Sequence, residues 1–236
     1  NSSAASDVYK RQAHNGVQFT DGYVTCPVCA PSRAGLLTGR YQQRFGFADN
    51  PGPYQRKGAA YVGIPPSQPI LSDRLRSLGY TTGLFGKTHD GIAEEQMAFT
   101  RWDEFFGFNN GASNYLGELN RRHNPIFHNR SILSQSPNTQ KTPRADLLDN
   151  GVIHSSETEY LTDSIGDAAV AFIKSHKQSP FLCYIPFNAI HGPFQAPRRL
   201  VEKFSDEADD TRRLVKAMLY SLDQNVGKVI QCVQNN

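Results

Sequence analysis

PILSDRLRSLGYTTGLFGKTHD, Pro69 to Asp90, changes character at Gly79. Ile70, Leu71, Leu75 and Leu78 recur at close to helical spacing and Gly79 is a natural stop, so the pattern predicts a helix over Pro69 to Gly79. Tyr80 to Gly86 then reads as a strand delivering Lys87, Thr88 and His89 to the loop at its carboxyl end. The same order recurs downstream. In YLTDSIGDAAVAFIKSHK, Leu161, Ile165, Ala169, Phe172 and Ile173 share one helical face, with Lys174, His176 and Lys177 at the end where cations meet the helix dipole. FLCYIPF, Phe181 to Phe187, is a short aromatic run that reads as a buried strand, and its end carries Asn188 to His191. Helix then strand, twice, predicts an α/β fold: a mixed, mostly parallel sheet flanked by helices, with the site beyond the carboxyl edge.

DDTRRLVKAMLYSLDQNVGKVIQCV spaces Leu214, Met218, Leu222, Val226, Val229 and Ile230 as a further helix. Phe105 to Ser156, rich in Asn, Ser, Pro and Gly, reads as long loops or an insertion near the site. The net charge of +3 comes from 25 basic and 22 acidic residues spread along the chain, so no basic stripe points to nucleic acid. No run of about 18 apolar residues marks a membrane span. Four cysteines, Cys26, Cys29, Cys183 and Cys232, are too few and scattered for a disulfide framework. NSSAASDVYKRQ, residues 1–12, has neither an initiator Met nor a signal-peptide pattern and resembles the translation of a sequencing adapter. It is set aside as a non-native tail, and 13–236 is taken as one partial domain, truncated at both ends.

Three constellations carry chemistry. CPVCAPSRAGLLTGR, Cys26 to Arg40, admits a zinc half-site, a redox pair, or two packed cysteines in a turn. A zinc site needs a second ligand pair, and none follows at suitable spacing. Pro31 suits a helix's first turn, which puts Cys29 at or just before a helix N-terminus, where free amides and the dipole favour an anion. Arg33 then lies one turn inside, supplying fixed charge. In GYTTGLFGKTHDG, Gly86-Lys87-Thr88 suggests a nucleotide-binding loop, but Thr81 stands where that pattern needs its first glycine. The third constellation is Asn188-Ala-Ile-His191-Gly-Pro193 with Pro197 beyond. His14, His123, His128, His154 and His176 are read as surface or loop residues. Asp209-Asp210, the paired carboxylates, are read as solvated.

Cys29, Pro31 and Arg33, with Leu37, Thr38, Gly39 and Arg40 downstream in register, resemble the signature of the type I sulfatases. That family also has Gly-Tyr-x-Thr and then Gly-Lys-Trp-His, matched here except for Thr88 in place of Trp. Its Pro-His-x-Pro block is matched with Ile190 for the first proline. The resemblance runs from about Ala13 to the end and implies the alkaline-phosphatase-like fold. It also implies oxidation of Cys29 to formylglycine by a formylglycine-generating or anaerobic cysteine-modifying enzyme. The implied activity is hydrolysis of a sulfate monoester on a small molecule or carbohydrate, in a periplasmic or secreted protein.

In the implied mechanism one hydroxyl of the formylglycine hydrate attacks sulfur and the other releases the sulfate. Arg33 holds the hydrate, while Lys87, His89 and His191 bind sulfate oxygens, one of them serving as general acid. The family's Ca2+ is held by formylglycine, here from Cys29, together with an Asp-Asp pair on the first strand and an Asp-Asn or Asp-His pair on a later one, neither of which is in this chain. The 236 residues alone are therefore expected to lack turnover, and their sheet to lack its first strand and a later one. A phosphate-monoester hydrolase of the same superfamily, a non-catalytic relative, and more remotely a P-loop enzyme are the alternatives.

Overall fold

Pro31 needs no N–H in a first turn, and glycine alone accepts a left-handed stop at little cost; between them forms α1, Cys29–Thr38. Gly39, at φ 64°, closes it by donating to Gly35 O at 3.0 Å. The structure, a computed structural model, describes residues 10, 13–50, 63–91, 101–109, 111–116, 148–149, 152–153 and 160–235. Apart from Lys10, the adapter-like tail lies outside these residues, as do His123, His128 and His154.

The helix expected over Pro69 to Gly79 is shorter, α2 at Leu71–Arg76. The Asp73 carboxylate accepts the Ile70 N–H at 2.9 Å at its start, and the chain leaves through Gly79 at φ 85°. The strands are β1 (Thr81–Lys87), β2 (Glu104–Phe108), β3 (Leu148–Asp149) and β4 (Val152–Ile153). After them come α3 (Leu161–His176), β5 (Phe181–Tyr184), α4 (Arg198–Val201) and α5 (Asp210–Gln234). Among the described residues the sheet order is β4-β3-β2-β1-β5. β1 runs parallel to both β2 and β5, and β3 is antiparallel to β2 and to β4. This is the mixed α/β arrangement expected.

Successive side chains of a strand point to opposite faces, and here both faces are covered. Leu84 and Phe105 pack with Ala30, Ala34 and Leu37 of α1, and with Phe47 and Trp102. Phe85, Phe106 and Phe108 pack with Ile165, Ala169 and Phe172 of α3 and with Leu214 and Met218 of α5. The Phe85 and Phe172 rings lie 5.3 Å apart. Each such side chain, fully buried, contributes about 1.5–3 kcal/mol. The two helices also meet through one carboxylate. Asp163 accepts from Asn225 Nδ2 at 2.7 Å and from the Ser221 hydroxyl at 3.0 Å.

Four readings need correction. Phe105 to Phe108 is not loop but β2: with apolar residues on both faces, EFFGF shows none of the alternation that announces a half-buried strand. FLCYIPF is strand only over Phe181–Tyr184, and it is half-buried rather than buried because, among the described residues, β5 is an edge strand. α5 buries Ser221 and Asn225 in line with Leu214 and Met218, while Leu222 and Val226 are half-exposed, because Asp163 supplies a polar partner. His176 is not a free surface residue. Its Nε2 pairs with Glu104 Oε1 at 2.6 Å and its ring lies 4.6 Å from that of Phe172. Asp209 and Asp210 are exposed, and Asp209 also caps α5 by accepting the Arg212 N–H at 2.7 Å. No helix among the described residues is long and apolar enough to cross a membrane.

Candidate active site

The carboxyl end of β1 and the start of α1 meet. Gly86 and Gly107 are register partners on β1 and β2, and both have positive φ (135° and 158°). A Cβ on Gly107 would lie 1.9 Å from Gly86 O, and one on Gly86 2.4 Å from Pro186 O, so only glycine lets these backbones close. Immediately after them come Lys87, Thr88 and His89, all buried. His89 has φ 49°, a left-handed conformation that costs a non-glycine residue about 1–3 kcal/mol and persists only where its surroundings hold it.

That conformation brings His89 Nδ1 to 3.2 Å from Cys29 Sγ, the first side chain of α1. One turn inside, Arg33 donates through an Nη1–H to Lys87 O at 2.8 Å, tying helix to strand. Burial pushes the Tyr184 phenol of β5 up, and the Arg33 charge acts against that shift. Lys87 Nζ donates to Gly111 O at 2.5 Å. Cys29, Arg33, Lys87 and His89 thus form one cluster. His191 does not join it. Its ring is exposed and its Nδ1 bonds Gly192 O at 2.7 Å, while its carbonyl accepts from the Tyr115 hydroxyl. Positions 81–87 are strand, so no phosphate-wrapping loop forms there.

Within the modification signature, Pro31, Leu37 and Thr38 are buried, and Arg40 donates to Gln68 Oε1 at 2.7 Å. Cys26 is half-buried and free.

Two residues that sequence reasoning passed over belong to the site. Asn50 touches Cys29 Sγ with both its amide atoms, and no pattern announces a contact between residues 21 positions apart. Asp90 is buried beside His89 with Oδ1 unpartnered, and burial pushes its carboxyl up to about 6. Its sequence signal was a carboxylate directly after the Lys87–His89 motif.

The electrostatics converge on Cys29. Its bond with His89, then Asn50 and the Lys87 charge, outweigh burial and hold the thiol down at about 6. Lys87 is itself lowered to about 8, by burial first and the like charge of Arg33 second. Iodoacetamide labelling of the unconverted chain should therefore rise with pH through a midpoint near 6, and His89→Gln should move that midpoint back toward the ordinary cysteine range. A midpoint unmoved in that variant would show that His89 is not the cause. Because the folded-state value is depressed, this thiolate's contribution to stability is full above the unfolded value of 9.0 and is lost as pH falls through about 6.

The fold has counterparts among solved structures. Ps i-CgsB in its crystal structure superposes with a TM-score of 0.75 at 29% identity, over 92% of this chain and 47% of that one. The phosphonate monoester hydrolase of Agrobacterium radiobacter, at 16% identity and a TM-score of 0.54, shares the fold alone. These neighbours give the fold as alkaline-phosphatase-like. In sequence, the chain is 29% identical to N-acetylgalactosamine-6-sulfatase of Mus musculus over 95% of its own length, but spans only 41% of that relative. The family model that matches, described as Sulfatase, runs over residues 4–236, and with the buried cluster around Cys29 it identifies the chain as a member of the sulfatase family.

Proposed function

We propose that the longer protein to which this chain belongs hydrolyses sulfate monoesters, ROSO3⁻ + H2O → ROH + HSO4⁻, at a formylglycine made from Cys29. The observation that carries this is the placement of position 29 at a helix N-terminus, 3.2 Å from His89 and backed by Arg33 and Lys87. The residues present fit the modified side chain. His89 Nδ1 and the Asn50 amide flank the Cys29 sulfur, and His89 Nε2 is buried without a partner. Formylglycine as its hydrate supplies two hydroxyls on one carbon, one to attack and one to release, which a thiol does not offer.

The chain's own residues do the rest. Arg33 and Lys87 place two cations behind position 29, where sulfate charge collects. Lys87, held below the ordinary lysine range by burial, sits closer to working pH than a free lysine and can give its proton to a leaving oxygen. His89 Nδ1 faces the nucleophile. His191, exposed and outside the cluster, is assigned substrate binding alone. The family resemblance implies calcium, but among the described residues no three His, Cys, Asp or Glu side chains converge to hold an ion. The roles assigned rest on side chains alone.

A sulfated carbohydrate is the substrate class best supported, because Ps i-CgsB, at 29% identity, was crystallised with a neocarrahexaose. The modifying enzyme would act before folding, since Pro31, Leu37 and Thr38 of its signature are buried once α1 packs. A periplasmic or secreted location goes with that chemistry.

The test is to co-express the chain, and the longer protein, with a formylglycine-generating enzyme. Mass spectrometry and hydrazide capture of the Cys29 peptide then read conversion, and sulfate release is assayed on an aryl sulfate and a sulfated oligosaccharide. Conversion, with release by the longer protein and none by its Cys29→Ala variant or by the 236 residues alone, is expected. An active preparation with an intact thiol, or phosphate release in place of sulfate release, would overturn the proposal.

A further inference from the structure

Cys29 has a second neighbour that the chemistry above leaves without a role. Asn50 follows the 3-10 turn at Gln42–Phe45, and its Nδ2 lies 3.4 Å and its Oδ1 3.5 Å from Cys29 Sγ. The same Oδ1 accepts the Ala30 N–H at 3.2 Å, in the first turn of α1. That backbone bond fixes which way the amide faces. The side chain at 29 thus has His89 Nδ1 and a carboxamide as two separate polar partners. A thiol has one weak donor and little use for both. A carbon bearing two hydroxyls has donors and acceptors enough for each.

We infer that Asn50 is a positioning residue that holds formylglycine as its hydrate, its amide binding one hydroxyl and leaving the other to His89. This rests on the formylglycine reading. The step is a hydration: water's oxygen bonds to the aldehyde carbon, one water proton passes to the former carbonyl oxygen, and nothing is oxidised or reduced. An aldehyde offers the amide only an acceptor, whereas the hydrate both donates and accepts, so the amide favours the hydrate. One such hydrogen bond shifts the equilibrium by about 5- to 10-fold.

The test needs no turnover, so it can be run on the 236-residue chain as well as on the longer protein. The chain is converted, labelled with 13C at the Cys29 β-carbon, and its hydrate-to-aldehyde ratio is read by NMR, with the hydroxylamine trapping rate as a second measure. Asn50→Ala should lower the ratio by about 5- to 10-fold and speed trapping correspondingly. Asn50→Asp, which keeps an acceptor for the Ala30 N–H and for a hydroxyl, should restore most of it. In the longer protein Asn50→Ala should lower kcat by a similar factor with little change in KM. An unchanged ratio in a folded, converted Asn50→Ala chain overturns the inference while leaving the formylglycine reading intact. Absence of conversion in the unsubstituted chain sinks that reading, and the inference with it.

Discussion

Lys87→Met in the longer protein should lower kcat/KM for a sulfate ester by about 100- to 1,000-fold, the usual cost of removing one fixed donor from developing charge. The same substitution should make the protein more stable at pH 7. Lys87 is buried at the end of β1, and burial with the charge of Arg33 lowers it from 10.5 to about 8. Its folded-state value lies below its unfolded one, so below pH 8 the fold carries a buried ammonium at a cost. That cost shrinks as pH rises from about 8 and is gone above 10.5. At about 1.4 kcal/mol per pH unit the cost is on the order of 3 kcal/mol at neutral pH. Methionine removes it but leaves Gly111 O without its donor, which takes back about 1–3 kcal/mol. In the unconverted 236-residue chain, a net gain of about 1 kcal/mol raises the unfolding temperature by roughly 2–4 °C. Thermal melts at pH 7 and above pH 10.5 check the sign, since the gain must vanish at the higher pH. A variant of undiminished kcat/KM would remove Lys87 from the machinery.

The second large effect is on folding. Gly107→Ala should cost more than about 4 kcal/mol, the range reserved for disrupted cores, because its Cβ would lie 1.9 Å from Gly86 O and 2.7 Å from Gly86 C, main-chain atoms that cannot turn aside. Gly79→Ala is the control. Its φ of 85° is equally unfavourable for alanine, but nothing lies within 4 Å of the added carbon, so backbone strain alone acts, at about 1–2 kcal/mol. Urea midpoints of the two variants separate strain from collision. Equal midpoints would mean that β1 and β2 do not approach as closely as described.

How much of this the sequence announced depended on the kind of contact involved. Residues whose partners are local were legible: Cys29 at a helix start follows from Pro31, and Lys87 and His89 at a strand end follow from the apolar run before them. β2 escaped because a strand covered on both faces has no polar side to mark it. Asn50 escaped because its partners are set by the path of a loop, which leaves no periodicity to read. His191 was grouped with the cluster from its motif, yet the direction of a ring beyond a strand is decided by the turn that follows, here one that bonds it to Gly192 O. The buried stripe of α5 was displaced for a related reason. Polar Ser221 and Asn225 count as surface residues in any apolar tally until Asp163 is known to face them.

The bond from Arg33 reaches the main-chain oxygen of Lys87, not its side chain. Whatever residue occupies position 87, that carbonyl is still there, so the distance between α1 and the strand end is set independently of the side chain mounted on it. The side chain at position 87, buried and bonded to Gly111 O, is therefore not what sets that spacing. Donors of other lengths could be fitted there to favour a different oxyanion without first rebuilding the frame that aims position 29.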